Sequence, residues 1–367
     1  MVLGQGKISS FTFALCKVSS KYYSTTKTIQ KSVFISQSKD VFENLALEEW
    51  LYSNMNFKNH HVLMLWRNDP CIIMGRHANP WVDIGNNQKS NMQIARRQSA
   101  GKTVYQDNGN LNFTFFAPSK HLMQTHNLEV IKRAIFRKYS IHIDVENNKL
   151  FLRNMKLGEA ALKIGYPNSY HHCSIRVENS KQEFEKKMWN LNCENHKVTV
   201  SGMLSAVGWE FLRTDMVTLI DGGQEEANKQ KGFHMVNPKE AWFPGINSIK
   251  EKLESWEWCY GYPHDFTVTR SLRIPLEFSK PDFDSKENMK LKIVIKKGIV
   301  SDIFFFIPPG LTNTGFTGEA SVISNIKGQK FNKHILQYLM ASLGQSEDSS
   351  DKEKAINQHM QRVVTSL

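Results

Sequence analysis

The feature that most limits the fold is the dipeptide Asn108-Gly109, set between two strand-like runs at residues 103–105 and 111–116. Asn-Gly accepts the positive φ values of a tight reversal, so it is a strong hairpin signal. A second candidate hairpin precedes it, where the apolar runs 61–66 and 71–74 flank the turn-forming Asn68-Asp69-Pro70. Helical spacing at residues 41–55 and 129–139 adds helices to these strands, and Asp40 with Glu43 three residues later has the form of a capping box. The expected class is α+β (α/β) with a mixed, mainly antiparallel sheet.

Further along, residues 32–35 look like the first strand of the folded region, 149–152 and 163–164 look extended, and 183–189 has helical character. After Phe243-Pro244-Gly245 the composition changes through the charged stretch 250–254, and strands at 272–278 and 291–295 open a separate region. The 367 residues therefore divide into a leader at 1–32, a catalytic domain at 33–250 and a C-terminal accessory domain at 251–367. The polar stretch from Ser346 reads as a frayed helical tail.

Composition removes several classes of function. No apolar run approaches the roughly 20 residues that cross a bilayer, so no membrane role is expected. The formal charge of +12 asks for an acidic partner, but the lysines are dispersed, without a basic helix or an aromatic RNA motif. A basic RNA-binding module has only the charge in its favour, and no nucleic-acid partner is expected. Five scattered cysteines, Cys16, Cys71, Cys173, Cys193 and Cys259, form no CxxC pair and read as reduced thiols. Residues 1–39 contain six lysines and no acid, the composition of a mitochondrial presequence, although arginine is absent before Arg67.

Chemistry concentrates in Arg96-Arg97-Gln98-Ser99-Ala100-Gly101-Lys102-Thr103-Val104-Tyr105-Gln106-Asp107, a basic loop of small residues feeding a strand. Small residues let backbone amides approach a phosphate or carboxylate, and the arginines supply charge. His171-His172 invites a metal reading, but neighbours on a strand point to opposite faces, so no metal site is expected there. Cys173 has no obvious base beyond those histidines, which ranks it low as a nucleophile.

Together with Phe42-Glu43-Asn44-Leu45-Ala46-Leu47-Glu48-Glu49-Trp50, Met74-Gly75-Arg76-His77-Ala78-Asn79-Pro80-Trp81, Asn108 to Phe115, Tyr170-His171-His172-Cys173, Phe243 to Asn247 and Trp256-Glu257-Trp258, this loop makes an ordered set that resembles the lipoate-protein ligase and lipoyltransferase family. The resemblance spans residues 42 to about 260 and is strongest to the eukaryotic lipoyltransferase branch. It implies a fold shared with biotin protein ligases and a small C-terminal domain. It also implies transfer of a lipoyl group to a specific lysine of lipoyl domains of 2-oxoacid dehydrogenase complexes, in the mitochondrial matrix. The expected partners are the lipoyl domains of dihydrolipoamide acyltransferase subunits, with the glycine-cleavage H protein as a donor. The lipoyl group or lipoyl-AMP is substrate, and no cofactor is permanently bound.

Lys156 falls at the family's pocket lysine, where a cation would stabilise the oxyanion of the tetrahedral intermediate, with Lys163 as a local rival. The resemblance further implies that Tyr105 lines the pocket, Arg97, Ser99 and Gly101 meet the acyl-phosphate end, Ser174 offers a hydroxyl to the adenylate and Asn110 anchors the loop. The chain departs from the family at Ala100 and Lys102, which replace glycines, at Gln106, which replaces a histidine, and at Glu146, Asn148 and Gly158-Glu159. If either lost glycine needs positive φ, a side chain there costs on the order of 1 kcal/mol. Acidic residues near a phosphate are unfavourable, and the segment between Cys173 and Val200 is shorter than the family's. A lipoyl-domain-binding paralogue without activity is the alternative that these departures favour.

Overall fold

In this computed structural model the described residues are 29–84, 92–121, 124–178, 190–216, 218–272, 289–307, 318–321, 326–332 and 335. The leader up to residue 28, the helix expected at 183–189, the part of the 272–278 strand beyond Leu272 and the tail from Ser346 lie outside them. In chain order the strands are β1 Gln30–Ser36, β2 His60–Trp66, β3 Cys71–Met74, β4 Gln93–Arg96, β5 Val104–Gln106, β6 Asn110–Pro118, β7 Asp144–Glu146, β8 Lys149–Leu152, β9 Met155–Lys163, β10 Asn168–Arg176, β11 Gly232–Val236, β12 Phe266–Leu272, β13 Met289–Lys296, β14 Ile299–Ile307 and β15 Gly318–Ser321.

Eight of these form one sheet in the order β11-β1-β2-β6-β10-β9-β8-β7. Only β11-β1 and β1-β2 pair in parallel, so the sheet is mainly antiparallel, as expected. A three-stranded sheet, β4-β3-β5, covers part of one face, and a four-stranded antiparallel sheet, β12-β13-β14-β15, follows later in the chain.

Neither expected hairpin forms. β2 pairs with β1 and β6, whereas β3 pairs with β4 and β5. Asn68 between them is fully buried, accepting from the Asn44 Nδ2 at 3.0 Å and donating to Gln106 Oε1 at 3.0 Å. Its segment is thus a buried crossover rather than an exposed turn. The Asn108-Gly109 reversal does occur, closed by the Asn110 amide donating to the Asp107 carbonyl at 3.0 Å. After it the strands part, because all nine residues of β6 are buried and both its edges are taken by β2 and β10. Burial on both faces outweighs the local turn preference.

The helix Val41–Asn54 starts where Asp40 Oδ1 accepts from the Phe42 and Glu43 amides, each at 2.9 Å. Only half of the capping box forms: Glu43 accepts instead from Ser38 Oγ at 2.8 Å and Lys239 Nζ at 2.6 Å, tying the helix start to a distant loop. This helix packs on the same sheet face as the three-stranded sheet, with Leu45, Met64, Trp66 and Phe116 buried together. Leu253 of helix Ile246–Glu254 and Trp258 of helix Trp256–Cys259 belong to that cluster as well. Residue 250 lies within the helix Ile246–Glu254, which packs against the helix Val41–Asn54. The opposite face packs against helices Gln124–Tyr139 and Val200–Arg213, with Leu63, Phe113, Phe115, Ile131 and Phe211 in one cluster.

That second face carries an unusual buried polar group. Lys31, His61 and His171 project from it, and His126 and Asn127 approach from the first turn of helix Gln124–Tyr139. Lys31 Nζ donates to the Thr214 carbonyl at 2.8 Å, and burial lowers its pKa to about 8. Both ring nitrogens of His61 and of His126, and Nε2 of His171, are buried without a partner among the described residues. Burial first, then neighbouring charges such as His121 and Lys31, holds His61 at about 4, and burial holds His171 at about 3.

These histidines are neutral in the folded protein, and in the unfolded chain they titrate near 6.5. Above that pH they leave stability unchanged. As pH falls from 6.5 towards 4, the unfolded chain binds protons that the folded protein refuses, and stability is lost. We expect the melting temperature to drop by more than about 5 °C between pH 7.5 and pH 5. His61→Gln should flatten that fall, which thermal denaturation across the pH series will measure.

Candidate active site

The site lies on the sheet face that carries the helix Val41–Asn54, where antiparallel register aligns side chains into rows. One row is Lys149, Glu159, Ser174, Asn112 and Trp66, from β8, β9, β10, β6 and β2. The next is Ala161, His172, Thr114 and Met64. A third places Lys163 beside Tyr170, Phe116 and Val62. Alternation sends His171 to the other face, against Phe115 at 6.4 Å between ring centres, so the two histidines cannot share one ion.

The loop after β4 lies over these rows. The Ala100 amide donates to the Leu162 carbonyl at 3.1 Å, and an added Cβ on Gly101 would stand 3.3 Å from the Ala161 Cβ. Gly101 alone in this loop has positive φ, at 109°, and a Cβ there would also meet an Arg97 nitrogen at 2.5 Å. Ala100 and Lys102 have no such φ and are exposed, so the two lost glycines carry no backbone strain. The glycine that the backbone needs is the one this chain retains.

Two buried arginines hold the loop, each in a different way. Arg96, 0% exposed, forms no ion pair among the described residues; its guanidinium donates to the carbonyls of Gly75, Arg76, Ala78, Trp258 and Cys259, at 2.7 to 3.2 Å. Trp258 returns a bond from Nε1 to the Arg96 carbonyl at 2.8 Å. Burial lowers the pKa of Arg96. Arg97 donates to the carbonyls of Ala100 and Lys102 at 3.0 to 3.2 Å, pulling the loop into a tight bend. Burial lowers its pKa too, opposed by the charges of Glu48 and Glu159.

Beneath the loop a polar layer is closed by hydrogen bonds. Gln106 accepts from Asn68 and Asn112 and donates to Asn112 Oδ1 and Ser174 Oγ, so its amide is fully satisfied. The expected adenylate hydroxyl of Ser174 is thus engaged by the residue that replaces the family's histidine. Glu48, a member of the 42–50 motif to which the sequence alone assigns no role, is fully buried. Its Oε1 accepts from Thr114 Oγ1 at 2.7 Å and lies 3.1 Å from His172 Nδ1. Burial alone would raise its pKa; the His172 and Thr114 contacts outweigh that and hold the carboxyl below its usual range. Only the polar residue types along β6 and β10 could have hinted at this network.

Of the other expected residues, Ser99 is buried, and its hydroxyl has no partner among the described residues. Tyr105 lies 6.0 Å from the Arg176 guanidinium, and Asn110 Oδ1 accepts from the Asp107 amide at 3.1 Å. Lys156, on β9 beside a register shift, is 45% exposed at its side chain and bonds to Glu159. Its rival Lys163 is 13% exposed, 2.5 Å from Glu49 and 4.0 Å from the Tyr52 ring centre, and so is committed to the fold. Glu146 and Asn148 belong to the β7–β8 reversal, where Asn147 and Asn148 both take positive φ.

Residues 40–208 match the model of the lipoyl protein ligase A/B catalytic domain. Lipoyl amidotransferase LIPT1, mitochondrial, of Homo sapiens is 30% identical over 299 residues, covering 74% of this chain and 75% of its own. The Mus musculus protein of that name is 33% identical over 66% and 68%, and lipoate-protein ligase A of Psychrobacter cryohalolentis 27% identical over 61% and 70%. Among solved structures, P. falciparum LipL1 with lipoate superposes with a TM-score of 0.54 at 19% identity, over 90% of this chain and 99% of that one. This chain belongs to the lipoyltransferase and lipoate-protein ligase family, which serves protein lipoylation.

Losing the Arg96 guanidinium would leave buried carbonyls without donors. Arg96→Lys should destabilise the protein by about 3 kcal/mol or more, since an ammonium cannot reach five acceptors in the guanidinium plane. Urea unfolding followed by tryptophan fluorescence will read it. In the loop itself, Gly101→Ala should lower the melting temperature, while Lys102→Gly should not raise it.

Proposed function

We propose that this protein is a lipoyltransferase that moves a lipoyl group, from lipoyl-AMP or a lipoylated H protein, onto a specific lysine of lipoyl domains of 2-oxoacid dehydrogenase complexes. The observation that carries the reading is the half-exposed ammonium of Lys156, bonded to Glu159 in the row that continues through Ser174 into the buried polar layer. An amine attacking an acyl carbonyl creates an oxyanion, and a positioned cation stabilises it in a site partly shielded from water. Ser99 and the backbone of Gly101 offer further polar contacts to the acyl end, Tyr105 and Asn110 support the wall beside them, and Ser174 is oriented by Gln106.

The protein otherwise works by positioning. It holds the acyl carbonyl and the acceptor amine in one site, which replaces an encounter in solution by an intramolecular geometry. The expected acceptors are the lipoyl domains of dihydrolipoamide acyltransferase subunits, for whose acidic surfaces a chain of formal charge +12 is suited. Lipoyl is substrate, and no permanently bound cofactor enters the scheme. The mitochondrial names of the human and mouse relatives support a mitochondrial site of action, with the matrix as the compartment and a presequence that ends before β1 rather than at residue 32, since Lys31 and Ser32 are buried in that strand.

The test is a mass-spectrometric transfer assay with an apo lipoyl domain and either donor. The expected result is a lipoyl increment on the acceptor that falls at least about 100-fold in Lys156→Ala, with the melting temperature unchanged. A folded protein that binds the acceptor but gives no increment with either donor would instead be a binding paralogue.

A further inference from the structure

Glu159 is the acidic departure closest to the reaction centre. It sits on β9 beside Ser174 in the row under the loop, and its side chain is 14% exposed. One carboxylate oxygen, Oε2, bonds to Lys156. The other, Oε1, is buried and has no hydrogen-bond partner among the described residues. An ordinary surface ion pair keeps both oxygens hydrated and contributes little. A shielded carboxylate oxygen without a donor is a cost that the fold does not explain, and such groups call for a role. Glu159 thus bonds to Lys156 and also acts electrostatically on Arg97.

Two consequences follow for the donor. An acyl-adenylate brings a phosphate to this place, and a carboxylate there repels it in a medium of reduced dielectric. An uncharged amide suffers no such repulsion. The leaving groups differ as well: adenylate departs as a stable anion, whereas an amine cannot leave an amide unless its nitrogen receives a proton.

We propose that Glu159 is a proton-relaying catalytic residue that adapts the site to an amide donor, a lipoyl-lysine carried on another protein. The inference rests on the lipoyltransferase reading and deepens it. The neutral amine of the acceptor lysine attacks the lipoyl carbonyl carbon and forms the new C–N bond, while Lys156 holds the oxyanion. Glu159 Oε1 takes one proton from the attacking nitrogen and delivers it to the departing nitrogen as the old C–N bond breaks. One amide is exchanged for another, with no net proton and no further reactant.

The experiment uses the whole protein, an unmodified lipoyl domain as acceptor, and two donors in parallel: a lipoyl domain bearing isotopically labelled lipoyl-lysine, and lipoyl-adenylate. Glu159→Gln keeps the shape but cannot relay the proton. The ratio of kcat/KM for the amide donor to that for the adenylate should fall at least about 30-fold, a typical general acid–base contribution. Glu159→Gly, which removes the charge, should bind lipoyl-adenylate more tightly than wild type. A wild-type protein that uses the amide donor, with a Glu159→Gln ratio within about threefold of it, overturns the role of Glu159 alone. A wild-type protein inert toward both donors overturns the functional reading, and the relay with it.

Discussion

The molecule depends on a buried charge held by backbone carbonyls, with no ion pair among the described residues. Arg96 is withdrawn from water at the end of β4, and it is solvated there by five backbone carbonyls from two distant segments. A guanidinium suits this task, because its planar fork directs donors to several acceptors at once and it keeps its proton under nearly all conditions. The arrangement fastens the turn at 75–78 and the helix Trp256–Cys259 to the base of the loop. Without that anchor neither Arg97 nor Gly101 would have a fixed frame, and an added side chain at Gly75 would collide with the Gly101 carbonyl, 1.8 Å from its Cβ.

From that anchor the large sheet separates two environments. One face is apolar except for the histidine and Lys31 group beneath helix Gln124–Tyr139. The other bears a connected polar layer, Asn44, Asn68, Gln106, Asn112 and Ser174, which runs from the helix Val41–Asn54 to the row that carries Glu159. Satisfied buried amides rigidify because each partner lost would leave another unpaired. Gln106 fits this layer with all four hydrogen-bonding positions used, so the chain's departure from the family's histidine is accommodated by its surroundings. Glu48, Thr114, Trp66 and His172 form a second such network one row away.

The sequence by itself determined the class of fold, the helix at 41–54 with its Asp40 cap, and the extent of the two-arginine loop, since these follow from local periodicity, capping chemistry and a motif contiguous in the chain. It also determined that His171 and His172 face apart, a consequence of strand alternation alone. Tertiary structure decided what each strand pairs with: β5 and β6 meet at a strong turn signal yet enter different sheets, because burial of β6 on both faces and both edges exceeds the preference of one dipeptide. It decided too that Gly101 is the one loop glycine the backbone requires, and that Glu159 bonds to Lys156 while acting electrostatically on Arg97. Those facts depend on contacts between residues far apart in the chain, and the energy of a buried carboxylate or guanidinium is set by neighbours that no local pattern names.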